Sequence, residues 1–391
     1  MSQVSLLLAL CLIGVGCSSE TAPTPTTLPE PVGPGRLALL DGEGNVVVVD
    51  GEGNDPVEVA AAGEEVAYGQ PIWSPDGSVV SYARASADGF AYVLSEVDAG
   101  STTEVTLDNY PFYAFWSPDG VTVGILRNGA SSVVFELIDV SEATVETVAD
   151  DTPFYFSWSP SGGEVAAHAG AERLLRLGPV APESEPRLTD AGYLAPQWLD
   201  AGLLHVVGSE LVLERVDGSR SAIVDVEGVT IFVADPTGRR VAVQSLAAGS
   251  GVSVALREAA SVEPNSVAVV EIASGDSVTV RATPAAGFFW SPDGERLLLL
   301  GPDETRERLD ISVWSDQGID EYGTYTPSPI LVRDLFPFFP QYAQSLSFWA
   351  ADSSAFAYVG EVDGEEGVWV QRLDSPSPQF VNEGNWAAWS P

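Results

Sequence analysis

From residue 36 onward the apolar residues fall in short runs, and clusters of Gly, Pro, Asp and Asn separate them. Short apolar runs between such clusters read as β-strands joined by tight turns. No convincing amphipathic helix lies between the runs, so a βαβ arrangement is not expected. The turns themselves repeat. WSPDG stands at 73–77, 116–120 and 290–294, WSPSG at 158–162, and the chain stops at Trp389-Ser390-Pro391. Weaker copies are WLDAG from Trp198, WAADSS from Trp349, and Ala234-Asp235-Pro236-Thr237-Gly238, which keeps the turn without the Trp. Most steps between these positions are about 40 residues, the length of one four-stranded propeller blade. In Ser-Pro-Asp-Gly, Pro pre-sets φ at the second turn position, Asp tolerates the third and Gly takes the last.

At these residues the chain resembles the TolB-like, or WD40-like, β-propeller repeat family, over roughly residues 36–391. The resemblance implies that each motif Trp closes the innermost strand of a blade and that WSPDG turns into the next strand. It implies a fold and not a function, because one fold hosts many activities. A large aromatic on an inner strand buries well, so the motif tryptophans are expected to pack between blades and not to contact a ligand.

The ends of the chain suggest how the ring closes. Residues 36–40 and 46–50 look like middle strands of a blade without an innermost strand, and 385–389 looks like an innermost strand without a blade. Pairing them removes two sheet edges. The expectation is therefore an all-β chain forming a single β-propeller of eight four-stranded blades. Seven is the alternative, if the degenerate copy at Ala234 merges with a neighbour.

Composition narrows the setting. The 391 residues carry 56 acidic and 17 basic side chains, a formal net charge of −39, and every basic residue is Arg. Such a surface argues against nucleic acid and against anionic lipid headgroups. Residues 4–15 form an apolar run placed like a signal h-region and too short for an ordinary membrane span. It ends Leu12-Ile13-Gly14-Val15-Gly16-Cys17-Ser18, which resembles a bacterial lipoprotein signal in which Cys17 takes the lipid. Gly14 replaces the usual Leu of that pattern, and Met1-Ser2-Gln3 carries no positive charge. A plain secretory signal is the alternative. Residues 1–17 are thus read as the signal, 18–35 as a Pro/Thr-rich tether and 36–391 as the propeller, with membrane contact only through the lipid. Only Cys11 and Cys17 occur, so the processed chain would hold no thiol for a disulfide or a zinc site.

Catalytic signals are sparse. His168 and His205 are the two histidines, both in ordinary strand positions, and no GxSxG is present. Two His are a poor supply for a metal site, and no metal or cofactor is expected. Asp41-Gly42-Glu43-Gly44-Asn45 and the segment from Asp50 look faintly like calcium loops but read better as hairpin turns. A glycan-acting enzyme using Asp/Glu would need two carboxylates across a cleft, which spacing alone does not reveal.

Aromatic residues carry the stronger hint. Tyr68, Tyr110, Phe112, Tyr113, Phe154, Tyr155, Tyr193, Phe288 and Trp386 stand just ahead of innermost strands or at their starts. In a propeller these segments converge at one end of the central channel, and loops on a rigid scaffold commonly bind. Such a rim suits an envelope protein, a peptide or a glycan; the other reading is packing between blades. The segment Leu335-Phe336-Pro337-Phe338-Phe339-Pro340-Gln341-Tyr342 is too aromatic to float in solvent. It is expected to fold over the channel mouth, or else to form a partner-facing patch. The sequence therefore predicts an exported, monomeric binding scaffold of the cell envelope rather than an enzyme.

Overall fold

The computed structural model describes residues 35–170, 173–177, 187–188, 195–246, 262–263, 265–303, 305 and 307–391. Cys17, the signal segment and Tyr193 lie outside the described residues, as does the tether up to residue 34. Among the described residues the strands form six four-stranded sheets and one of seven strands, all antiparallel between sequence neighbours. The seven-stranded sheet is two blades joined where Thr326 and Pro327 pair with Glu361 and Gly360. Eight blades result, matching the eight repeat positions.

Blade 1 starts with the innermost strand Val66–Trp73, and blades 2 to 6 start with Pro111–Trp116, Phe154–Trp158, Gln197–Leu199, Val229–Ala234 and Gly287–Trp290. Blade 7 is built around Trp349. Its innermost strand shrinks to one bridge, Trp349 to Phe356, because residues 328–347 leave the sheet. Blade 8 closes the ring. Its innermost strand is Gly384–Trp389, paired antiparallel with Arg36–Asp41 in the register Leu37↔Trp389 and Leu40↔Trp386. The predicted latch is therefore present, and the strands carrying Trp73 and Trp389 are neighbours.

The motif tryptophans lie between blades, as expected, and five of them add a directional bond. The Trp73 indole N–H donates to the carbonyl of Ala388, Trp158 to Phe115, Trp290 to Val233 and Trp349 to Phe289, at 2.9–3.1 Å. In every case the acceptor belongs to the innermost strand of the preceding blade and immediately precedes its motif position. Trp116 reaches the Ser81 hydroxyl instead, at 2.8 Å. Each such bond adds about 0.5–1.5 kcal/mol to the apolar burial and fixes the blade stagger.

The WSPDG turn is held by its serine. Ser117 Oγ donates to Asp119 at 2.6 Å and accepts the Thr122 N–H at 3.0 Å. Ser74 and Ser291 repeat the pattern. The Trp-less copy keeps it with the two groups exchanged: Thr237 donates to Asp235 at 2.7 Å, and Asp235 accepts the Arg240 N–H at 2.8 Å. A hydroxyl-carboxylate pair thus bridges the three WSPDG turns and, in the reverse order, the Trp-less copy, while WSPSG uses the Ser159 and Ser161 hydroxyls, 3.3 Å apart. Arginine then locks some turns to the preceding blade. Arg240 donates to the Gly294 carbonyl and lies 5.5 Å from the Trp290 ring centroid, and Arg36 does the same with Gly77 and Trp73. The two Gly-rich acidic segments after residues 41 and 50 are hairpin turns, with the Asp41 and Asp50 carboxylates accepting amides of their own loops.

Candidate functional site: an aromatic cleft beside a channel plug

Every innermost strand begins at one face of the ring and ends at the WSPDG turns on the other. These are called the rim face and the turn face below. Residues 328–347, diverted from blade 7, enter the channel and form a π-helical turn at Leu331–Leu335, a 3₁₀ turn at Phe336–Phe338 and the helix Phe339–Ser345, α1. Prolines at 337 and 340 sit in the first turns of the last two, where a missing N–H costs nothing. α1 touches the innermost strands of blades 2, 3, 5 and 6, which places it inside the channel. The aromatic segment therefore caps the channel.

Gln341 anchors this plug. It is 2% exposed, its side-chain oxygen accepts the Phe156 N–H at 2.8 Å, and its amide donates to the Phe156 carbonyl at 2.6 Å and the Tyr113 hydroxyl at 2.8 Å. An innermost strand has a free edge toward the channel, and the glutamine amide pairs with it as another strand would. Tyr342 donates to the Phe112 carbonyl at 3.1 Å and accepts from Gln70 at 2.9 Å. Burial pushes the Tyr113 and Tyr342 hydroxyls well above the ordinary tyrosine range, so both remain donors. Phe339 packs edge-on against Phe288, with centroids 4.8 Å apart.

The plug leaves a space on each side. At the turn face a chamber of about 430 Å³ lies among Trp158, Trp198, Pro160 and Pro236. At the rim face a cleft of about 760 Å³ opens beside the plug, lined by blades 1, 2, 3 and 8 and by residues 330–342. Seven of the nine sequence-predicted rim residues line it: Tyr68, Tyr110, Phe112, Tyr113, Phe154, Tyr155 and Trp386.

They are not equivalent. Tyr68, Tyr110, Phe112 and Tyr155 are partly exposed, and Phe338 of the plug is 46% exposed. Tyr113, Phe154 and Trp386 are buried and form the cleft floor: Phe154 stacks on Phe135 at 5.2 Å, and Trp386 donates to the Pro71 carbonyl at 3.0 Å. Phe288 has no place in the rim. It is fully buried beneath Phe339, because the plug covers the blade 6 end of the channel.

Backbone irregularities aim several of these groups. The innermost strand of blade 1 shifts register between Gly69 and Ile72, with Gln70 at φ +53°, and that of blade 2 shifts between Pro111 and Tyr113. Bulges bend a strand and redirect its side chains. Here they turn Gln70 toward Tyr342. A methyl on Gly69 would collide with the Tyr110 hydroxyl, so glycine is what lets that ring close over the strand. Sequence reasoning missed Gln70, Asn128, Arg333, Asp334 and Gln341. Only the plug residues had a signal, their neighbourhood to the aromatic segment.

The lining holds one carboxylate, Asp334, which accepts two bonds from Arg333 at 2.7 and 2.5 Å. That carboxylate holds the exposed Arg333 guanidinium above its ordinary range. His168 and His205 are buried on the second strands of blades 3 and 4, and the His205 ring nitrogen is 3.3 Å from Glu214. Among the described residues no group of three His, Cys, Asp or Glu could hold a metal ion, and no helix is long and apolar enough to cross a membrane. The chain enters the ring at Arg36 on the turn face, the end of the channel away from the cleft.

No protein-family model matches the chain, and no curated protein matches it. Solved structures do. A eukaryotic initiation factor is similar at 12% identity and TM-score 0.54, over 91% of this chain and 98% of that one. Oligogalacturonate lyase in complex with manganese is similar at 14% identity and TM-score 0.53, over 86% and 95%. The β-propeller domain of the Trilobed protease from Pyrococcus furiosus is similar at 10% identity and TM-score 0.50, over 83% and 98%. The chain is a β-propeller. That Pyrococcus domain has an open velcro topology, whereas this propeller is latched by its last strand. TolB from Acinetobacter baumannii is also similar, at 15% identity and TM-score 0.42 over 73% of this chain, which spans 63% of the TolB chain. At such identities the likeness is one of fold.

Proposed function

We propose that this propeller is an exported, lipid-anchored scaffold of the cell envelope that holds a segment of a protein partner in the rim cleft. The observation that carries the reading is the convergence of Tyr68, Tyr110, Phe112, Tyr155 and Phe338 on one cleft with a rigid floor. Aromatic anchors with polar tips contribute much of the affinity at protein interfaces, and a preformed floor lowers the ordering cost. The amides of Gln70, Asn128 and Asn385 supply hydrogen-bonding groups around them. Binding rather than catalysis is favoured because the lining offers one carboxylate, already paired, where glycan hydrolysis uses two.

The anchor reading rests on Cys17. The Cys17→Ser chain is expected to move from the membrane fraction to the soluble fraction of fractionated cells. Unchanged membrane association would contradict lipid attachment there. The cleft reading is tested with the double variant Phe112→Ala/Phe338→Ala. In-cell crosslinking of the tagged full chain should give a discrete protein adduct that this variant loses, with an unchanged melting temperature. An adduct that survives the double substitution would place the contact elsewhere.

A further inference from the structure

The charge around the cleft says what kind of segment fits it. Acidic residues flank the lining in several loops: Asp41 and Glu43 beside Leu40 and Gly44, Asp108 beside Tyr110, Asp151 beside Thr152, and Glu383 beside Asn385. The Glu383 side chain turns in against the Gly42 backbone, 3.1–3.2 Å from where a Cβ would stand. The arginines of this neighbourhood are already neutralised. Arg127 is buried against Glu136 at 2.6 Å with Asp108 at 3.5 Å, and Arg333 is held by Asp334. Loops that carry carboxylates, here called the acidic collar, thus border the aromatic cavity.

Resting on the binding role proposed for this cleft, we propose that its occupant is cationic, a segment of a partner protein whose Arg or Lys side chains enter between the aromatic rings. Two independent attractions act on such a group. The faces of Phe112, Tyr110, Tyr155 and Phe338 carry the negative part of the ring quadrupole, which draws a cation within about 6 Å of a ring centroid. The collar carboxylates steer the same charge over the longer distance of a Debye length, about 10 Å at 0.1 M salt. An acidic segment meets repulsion from both. A neutral apolar segment would gain area but leave the collar unmatched. An Arg side chain satisfies the two together, because its planar guanidinium stacks on a ring while donating to carboxylates at its edge.

The test uses the purified full chain and three fluorescent decapeptides of alternating Ser and a variable residue: Arg, its neutral isostere citrulline, or Glu. Binding is read by anisotropy. In about 50 mM salt the Arg peptide is expected to bind at least about tenfold tighter than the citrulline peptide, and the Glu peptide not at all. Phe112→Leu/Phe338→Leu keeps apolar bulk and removes two quadrupoles. It is expected to weaken the Arg peptide about tenfold and the citrulline peptide by a clearly smaller factor. Equal binding of Arg and citrulline peptides would overturn the proposal. So would an Arg peptide indifferent to the double substitution, since that is the signature of non-specific attraction to an acidic protein. If the peptides show no charge preference while the cellular adduct is still lost in Phe112→Ala/Phe338→Ala, the cleft remains a binding site and only its cationic selectivity fails.

Discussion

A chain ending at Glu383 is expected to lose its cooperative fold, not merely its last strand. Deleting residues 384–391 removes Trp386 and Trp389, each 1% exposed, and Ala388. Truncating one buried Trp to Ala costs about 3–5 kcal/mol, so two cost about 6–10 kcal/mol. That rivals the whole stability of a typical domain, about 5–15 kcal/mol. The deletion also strips the partner from the Arg36–Asp41 strand and leaves the Trp73 indole N–H without its Ala388 acceptor. An open ring further exposes two sheet edges to other chains. The check is a thermal melt followed by tryptophan fluorescence and near-UV circular dichroism. The account predicts no cooperative transition in the truncated chain. A cooperative melt within a few degrees of the intact protein would mean that the latch is dispensable.

Gln341→Leu is expected to lower stability by about 2–5 kcal/mol, although Leu is close in size and apolar. The substitution removes both bonds to Phe156 and one to Tyr113. Phe156 is fully buried, so its N–H and C=O lose their channel-side partner without gaining water. Each stranded group costs about 1–3 kcal/mol. Tyr113 retains its bond to the Gln341 carbonyl at 3.2 Å, which limits the damage there. Urea unfolding gives the readout as a lower midpoint at unchanged slope. A shift below about 0.5 kcal/mol would show that the Gln341 side-chain bonds do not hold the plug.

The strands, turns and latch were legible because they depend on local rules. WSPDG encodes its own turn, and the Asp235 and Thr237 exchange preserves the hydroxyl-carboxylate pair of that turn. The pairing of residues 36–40 with the chain end followed from each half being incomplete alone. The cleft was legible as a set of aromatics but not side chain by side chain. Strand parity would sort the rim into exposed and buried groups only if the innermost strands were regular, and bulges at Gln70 and Phe112 break that count. Phe288 was misjudged for a different reason. Its burial comes from Phe339, far away in sequence and brought there only by the folded plug. Gln341 was legible only as a member of the aromatic segment, because its own role lies in the free strand edge it meets. The shrunken innermost strand of blade 7 was likewise hidden, being the consequence of residues 328–347 leaving the sheet for the channel.

The central claim is that the rim cleft beside the plug is where this propeller meets its partner. Photo-crosslinking from single positions in the full chain, expressed in cells, tests it most directly. A photoreactive phenylalanine is placed at Phe112 or Phe338 in the cleft, and at Thr237 in the turn-face chamber as the comparison. The account predicts one shared protein adduct from both cleft positions and none from Thr237. An adduct from Thr237 alone, or silence from both cleft positions while the protein remains folded, would contradict it.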